Sequence, residues 1–123
     1  MNLQTADRML TNLIDSYRDV VNEGLQHIRG VIRILMDLIP SCEDNEVSLR
    51  IDESGGNLHI SCRISITGNI PDNIIDYLRD EFHSANYWYF KARSVDNGRK
   101  LLTLSWRRTF YGVWLDELKH TPH

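Results

Sequence analysis

The sequence predicts an α+β domain: an antiparallel sheet with helices packed on one of its faces. Three observations lead there. Residues 6–39 keep an uninterrupted helical spacing of apolar side chains, two later stretches alternate apolar and polar residues around glycine turns, and a second helical stripe separates those stretches.

In the first segment Leu10, Ile14, Tyr17, Val21, Gly24, Ile28, Val31, Leu35 and Leu38 recur at spacings of four and three, the period of a helix that keeps one seam against a partner. Thr5 or Asp7 can cap its start, and Pro40 forces its end. One continuous helix over 6–39 would reach about 50 Å, longer than the rest of such a domain is wide. Its halves differ. From Leu25 to Ile39 apolar residues nearly encircle the helix, as expected of one buried in the core. Before that there is a single stripe, and Leu10, Leu13, Ile14, Tyr17, Val20 and Val21 are expected to project toward a second copy of the chain as a homodimer contact. Gly24 would be the joint between the two jobs, or, alternatively, a turn that splits the segment into a helical hairpin.

Val47, Leu49 and Ile51 alternate with polar neighbours, and after Ser54-Gly55-Gly56 the return strand puts Leu58, Ile60, Cys62, Ile64 and Ile66 on one face. A turn at Ser54-Gly55 would pair Ile51 with Leu58 and Leu49 with Ile60. Pro71 or Asp72 opens a helix whose buried stripe is Ile74, Ile75, Leu78 and Phe82. In the second hairpin Trp88, Phe90 and Ala92 face Leu102, Leu104 and Trp106. A two-residue turn at Asn97-Gly98 would set inward residues against outward ones. A three-residue loop, Asp96 to Gly98 with Gly98 left-handed, removes the conflict and pairs Trp88 with Trp106. Phe110, Tyr111, Trp114, Leu115 and Leu118 then suggest a short closing helix before a loose tail, 120–123. The expected order is helix, hairpin, helix, hairpin, helix in one domain, 1–123.

At 123 residues, with a hydrophobic fraction of 41%, the chain can build a core without disulfide or metal staples. Cys42 and Cys62 are therefore expected as free thiols. The first residues lack the basic and apolar regions of a signal peptide, and no apolar run approaches the roughly 20 residues of a membrane span, so a cytoplasmic protein without membrane contact is expected. Net charge is −3 but unevenly spread: residues 1–85 hold seven basic and fourteen acidic side chains, residues 86–123 seven and three. Such asymmetry suggests an anionic partner at the basic end or, equally, complementary surfaces of two protomers.

No phosphate-binding loop, dinucleotide glycine motif or nucleophile elbow is present. His59 and Cys62, three apart on a strand, point to opposite faces and cannot chelate one metal. The expectation is a protein without catalytic residues, metal, cofactor or small-molecule substrate. His27, midway along the first helix with Glu23 one turn before it, would suit a phosphoacceptor; a histidine beside an interface is the simpler reading. The surface with most chemical content is the second hairpin, where Tyr87, Tyr89, Lys91, Arg93, Arg99, Lys100, Arg107 and Arg108 combine rings and cations on one rigid element. These side chains suit an acidic protein surface, as in an adaptor, chaperone-like factor, regulator or inhibitor. Nucleic acid, held by stacking and backbone neutralisation, is the alternative.

Overall fold

The structure, a computed structural model, describes residues 1–14, 16–17, 19–39, 44–82 and 88–111. Two helices come first, α1 (Leu3–Leu13) and α2 (Asp19–Leu38). The hairpin β1 (Asp44–Ser54) and β2 (Asn57–Gly68), helix α3 (Asp72–Phe82), and the hairpin β3 (Trp88–Ser94) and β4 (Lys100–Phe110) follow. The strands form one antiparallel sheet in the order β1-β2-β4-β3, so α3 carries the chain across β4 to the far edge. The α+β class and the helix and strand order from β1 onward are as the sequence indicates. Phe110, expected to open the closing helix, instead ends β4, and Tyr111 follows in a turn; the rest of that helix and the tail lie outside the described residues.

The continuous helix over 6–39 is not formed. Its first half folds back on its second. At Ile14 the backbone turns extended (ψ 139°), ending α1, and the Ser16 amide bonds to the Leu13 carbonyl. The buried Asn22 side chain donates to the Tyr17 carbonyl, satisfying a backbone group that the break would otherwise strand inside the protein. Asp7 meets Arg33 at 2.9 Å and Thr11 receives Arg29 at 3.5 Å, so the two helices run antiparallel. A seam of uniform phase is compatible with either arrangement, but reversal lets one chain bury both stripes without a partner. The cap of α1 is Asn2, whose side chain accepts from the Thr5 amide at 2.8 Å, rather than Thr5 or Asp7.

Gly24 is not a joint either. It is buried inside α2, and a Cβ there would come within 3.4 Å of the Trp106 ring and 3.7 Å of Phe110. A single methyl group there would make ordinary van der Waals contact with these rings, and a larger side chain would have to displace them.

One core cluster unites the three helices with a single sheet face. It includes Leu10, Leu25, Ile28, Ile32, Leu35, Ile60, Ile64, Leu78, Leu102 and Leu104, all without measurable exposure. Phe82 of α3 and His27 of α2 both meet Trp88, which places both helices on that face.

The second hairpin has the expected register, Trp88 opposite Trp106 and Phe90 opposite Leu104. The first is shifted by two residues from the expected one: Ile51 faces Ile60, and Glu53 faces Leu58. The turn is Gly55-Gly56, both at positive φ (58° and 83°), the conformation a tight primed hairpin turn demands and glycine adopts without strain. A shift of two preserves which residues face the core, so the hydrophobic pattern alone could not distinguish the registers.

Candidate binding face

Alternation along the strands places a second set of residues on the sheet face opposite the helices. Pairing fixes them in rows across all four strands. One row is Glu46, Ser65, Thr103 and Lys91; the next is Ser48, Arg63, Ser105 and Tyr89; the next begins Arg50, Ser61 and Arg107. Toward one end lie Asp44, Thr67, Leu101 and Arg93, and toward the other Asp52, His59 and Thr109. His59 Nδ1 and the Thr109 hydroxyl are hydrogen-bonded at 3.0 Å.

The face is open and polar. Tyr89 is 65% exposed, and Arg63, Lys91, Arg93 and Arg107 are all exposed. Charge is graded across it. Acids sit at the β1 edge as Asp44, Glu46 and Asp52, while the cations occupy β2, β4 and β3. At the β1 edge Arg50 pairs with Asp52 at 3.3 Å, and Asp44 pairs with Arg99 at 3.4 Å. Arg63, Lys91, Arg93 and Arg107 have no carboxylate within 4.0 Å among the described residues. A shallow groove lined by Ser48, Ser61, Arg63, Tyr89, Ser105 and Arg107 runs through the middle of the face.

The eight residues expected from the second hairpin are thus only partly gathered. Tyr89, Lys91, Arg93 and Arg107 share the open face. Arg99 and Lys100 sit at the end of the hairpin, engaged with Asp44 and the Ser94 hydroxyl respectively. Arg108 belongs to the other side of β4, its guanidinium 4.7 Å from the centre of the Phe110 ring. Tyr87 lies outside the described residues. Arg63 and its flanking serines were missing from the expectation, because only the β2–β4 pairing, which no local pattern announces, brings them beside Tyr89 and Arg107.

The expected dimer contact is largely internal. Leu10 and Val21 have no exposure and Tyr17 has 8%, so these three pack in the chain's own core. Leu13 and Ile14 are half-buried against that core, and Val20 alone of the six is exposed. Folding α1 back onto α2 consumed the seam.

His27 is half-buried between Trp88 and Trp106, with ring centroids at 6.0 and 6.4 Å. Its Nε2 accepts the Trp88 indole N–H at 2.6 Å, so the imidazole is neutral with its proton on Nδ1. Burial pushes its pKa below the usual histidine value. An Nε2 lone pair already committed to a tryptophan is not available as a nucleophile, and the arrangement has the character of a core hydrogen bond. Cys62 faces the helices, buried, with its thiol pushed up to about 12 by desolvation, the state of an unreactive packing residue. Cys42 lies outside the described residues.

No three His, Cys, Asp or Glu side chains converge on a metal position among the described residues, and no described helix is long and apolar enough to cross a membrane. Comparison with protein-family models, with curated proteins and with solved structures finds no match for this chain.

Proposed function

We propose that this chain is a non-enzymatic binding protein, an adaptor or regulator, that takes an acidic segment of a protein partner on the open face of its sheet. The observation behind this reading is the set Arg63, Lys91, Arg93 and Arg107, exposed beside Tyr89 and unpaired with any described carboxylate. Elsewhere Arg33, Arg50, Arg79 and Arg99 each have a carboxylate partner. Cations held on a rigid sheet with no internal counter-ion form a surface complementary to negative charge, which steers and orients an incoming partner. Tyr89 adds an amphipathic anchor of the type enriched at interfaces.

An acidic protein segment fits this face better than nucleic acid does. Single strands are held by successive rings under successive bases, and among the described strand residues this face exposes one tyrosine, Tyr89. The acids along β1 and the net charge of −3 would also repel a long polyanion. A short acidic segment can lie over β4 and β3 and avoid that edge. With Leu10, Tyr17 and Val21 internal, recognition is assigned to the sheet rather than to the helices.

The test is fluorescence anisotropy with a labelled Asp/Glu-rich peptide and an oligothymidylate. The joint reversal Lys91→Glu and Arg93→Glu should weaken peptide binding by about tenfold or more, and added salt should weaken it further. Peptide affinity indifferent to both changes would overturn the reading. Tighter, cation-dependent binding of the oligothymidylate would replace it with nucleic-acid recognition.

A further inference from the structure

The middle of the open face has a geometry more specific than positive charge. Ser105 of β4 lies between Arg63 across one ladder and Tyr89 across the other. Arg107 is the next residue on the same face of β4. Directly opposed residues stand about 5 Å apart and diagonal ones about 7 Å. Two guanidiniums and a phenol therefore surround one small, half-buried serine, which forms a floor rather than a wall. Ser48, on the far side of Arg63, and Ser61, opposite Arg107, complete the lining of the groove.

We infer that this groove is a binding site for a phosphoryl group carried on a side chain of the protein partner, a phosphoserine or phosphothreonine within the acidic segment. This inference rests on the protein-binding reading above and specifies its centre. A carboxylate saturates one guanidinium in a bidentate pair, whereas a phosphoryl dianion has three acceptor oxygens and close to two charges. Arg63 and Arg107, neither paired with a described carboxylate, supply the matching two positive charges. The Ser105 and Tyr89 hydroxyls supply neutral donors between them. Asp44 and Asp52 have arginine partners, and Glu46, diagonal to Arg63 across the β1–β2 ladder, lines an adjoining hollow with Arg63, Ser48 and Ser65 without an ion pair to Arg63. Lys91 and Arg93 extend the positive surface along β3 for the acidic flanks of the segment.

Four probes separate the outcomes: an acidic peptide containing one phosphoserine, its unphosphorylated twin, inorganic phosphate, and an oligothymidylate. Phosphorylation should tighten peptide binding by about tenfold or more. The variant carrying Arg63→Gln with Arg107→Gln should remove that gain, so that it binds the phosphopeptide and the twin equally. The gain should also fade as pH drops through about 6, where the phosphoryl group takes up its second proton. Inorganic phosphate should compete with the phosphopeptide and shift the amide resonances of Arg63, Ser105 and Arg107.

Equal affinity for the two peptides would overturn the phosphoryl site while leaving the acidic-segment reading standing. Binding of neither peptide would overturn both. A phosphate gain that survives the double arginine variant would place the site elsewhere and so overturn it. Displacement of the phosphopeptide by oligothymidylate at lower concentration than by the twin would assign the groove to nucleic-acid backbone instead. Thermal melts of the variant, whose substituted side chains are exposed, check that the fold is unchanged.

Discussion

On β2 and β4, neighbouring residues one position apart live in different worlds. Ile60, Cys62, Ile64, Leu102, Leu104 and Trp106 are at most 2% exposed and pack under the helices. Ser61, Arg63, Ser65, Thr103, Ser105 and Arg107 face away from them, half-buried or exposed, and include no aliphatic side chain. The first set is dictated by the need to fill a close-packed interior, and little else fits there. The second set is not needed for that purpose. Strand stability would be served as well or better by valine or threonine at the arginine positions, as the binding role proposed for this face requires.

Substitution tests this contrast most directly at adjacent positions of β4. Leu104→Ala removes a wholly buried side chain and should cost about 2–5 kcal/mol, by lost transfer energy and the cavity left behind. Thr103→Ala, one residue away on the open face, should stay within about 0.5 kcal/mol. Urea unfolding of both variants measures the difference, and comparable losses would mean that the open face is also structural.

The two glycines of α2 draw the same contrast on a helix. Gly24 lies under Trp106, so Gly24→Leu should overpack the helix–sheet contact and cost about 1–3 kcal/mol. Gly30 is exposed, and a methyl group added there would meet nothing within 4 Å, so Gly30→Ala should stabilise by about 0.5–1 kcal/mol through helix propensity alone. Thermal melts should shift in opposite directions.

The inner face was largely legible in the sequence because its code is local. Alternation in Trp88–Ala92 and Leu102–Trp106, with the conflict between an Asn97-Gly98 turn and that alternation, was enough to fix the β3–β4 register. Gly98 is indeed left-handed at φ 75°, joined by Asn97 at 55°. Where the pattern failed, two solutions shared one phase. The β1–β2 register could slip by two without exposing any core residue, and the signal that decides it is the demand of a tight primed turn for two consecutive residues at positive φ, which Gly55-Gly56 meets. The helical seam kept phase through residues 14–17, so reversal could be recognised only from what α1 packs against. The polar pair Asp15-Ser16 and the buried Asn22 were the faint markers. The open face was half-legible for a related reason. Tyr89, Lys91 and Arg107 follow from one hairpin's alternation, but Arg63 joins them only through a pairing between strands more than thirty residues apart in sequence.

The His27–Trp88 hydrogen bond ties the inner face to pH. The bond requires an unprotonated Nε2, and burial lowers the histidine's folded pKa below its unfolded value near 6.5. The unfolded chain thus takes up the proton first as pH falls. The contribution to stability is complete above pH about 6.5 and is lost progressively as pH falls toward the lower folded pKa. Urea midpoints measured from neutral to mildly acidic pH should decline over that window, with Trp88 fluorescence reporting the same transition. His27→Gln should flatten this part of the profile. An unchanged slope would mean that His27 does not titrate differently in the folded protein.

The smallest expected stability change is the one that says most about the open face. Arg63→Gln and Arg107→Gln each remove an exposed cation that has no described carboxylate partner and stands diagonally across from another cation. Neighbouring like charges repel weakly in high dielectric, so each substitution should leave stability within about 0.5 kcal/mol and lean toward a gain. The sign matters more than the size. Residues kept for folding lose stability when replaced, while residues kept for binding can be lost at no cost to the fold and sometimes to its benefit. A loss of more than about 1 kcal/mol in urea unfolding would show that these arginines brace the sheet, and the division of labour between its two faces would fail at its centre. A neutral or stabilising result, together with weakened peptide binding by the same variants, would locate the function of the chain on the face its core does not use.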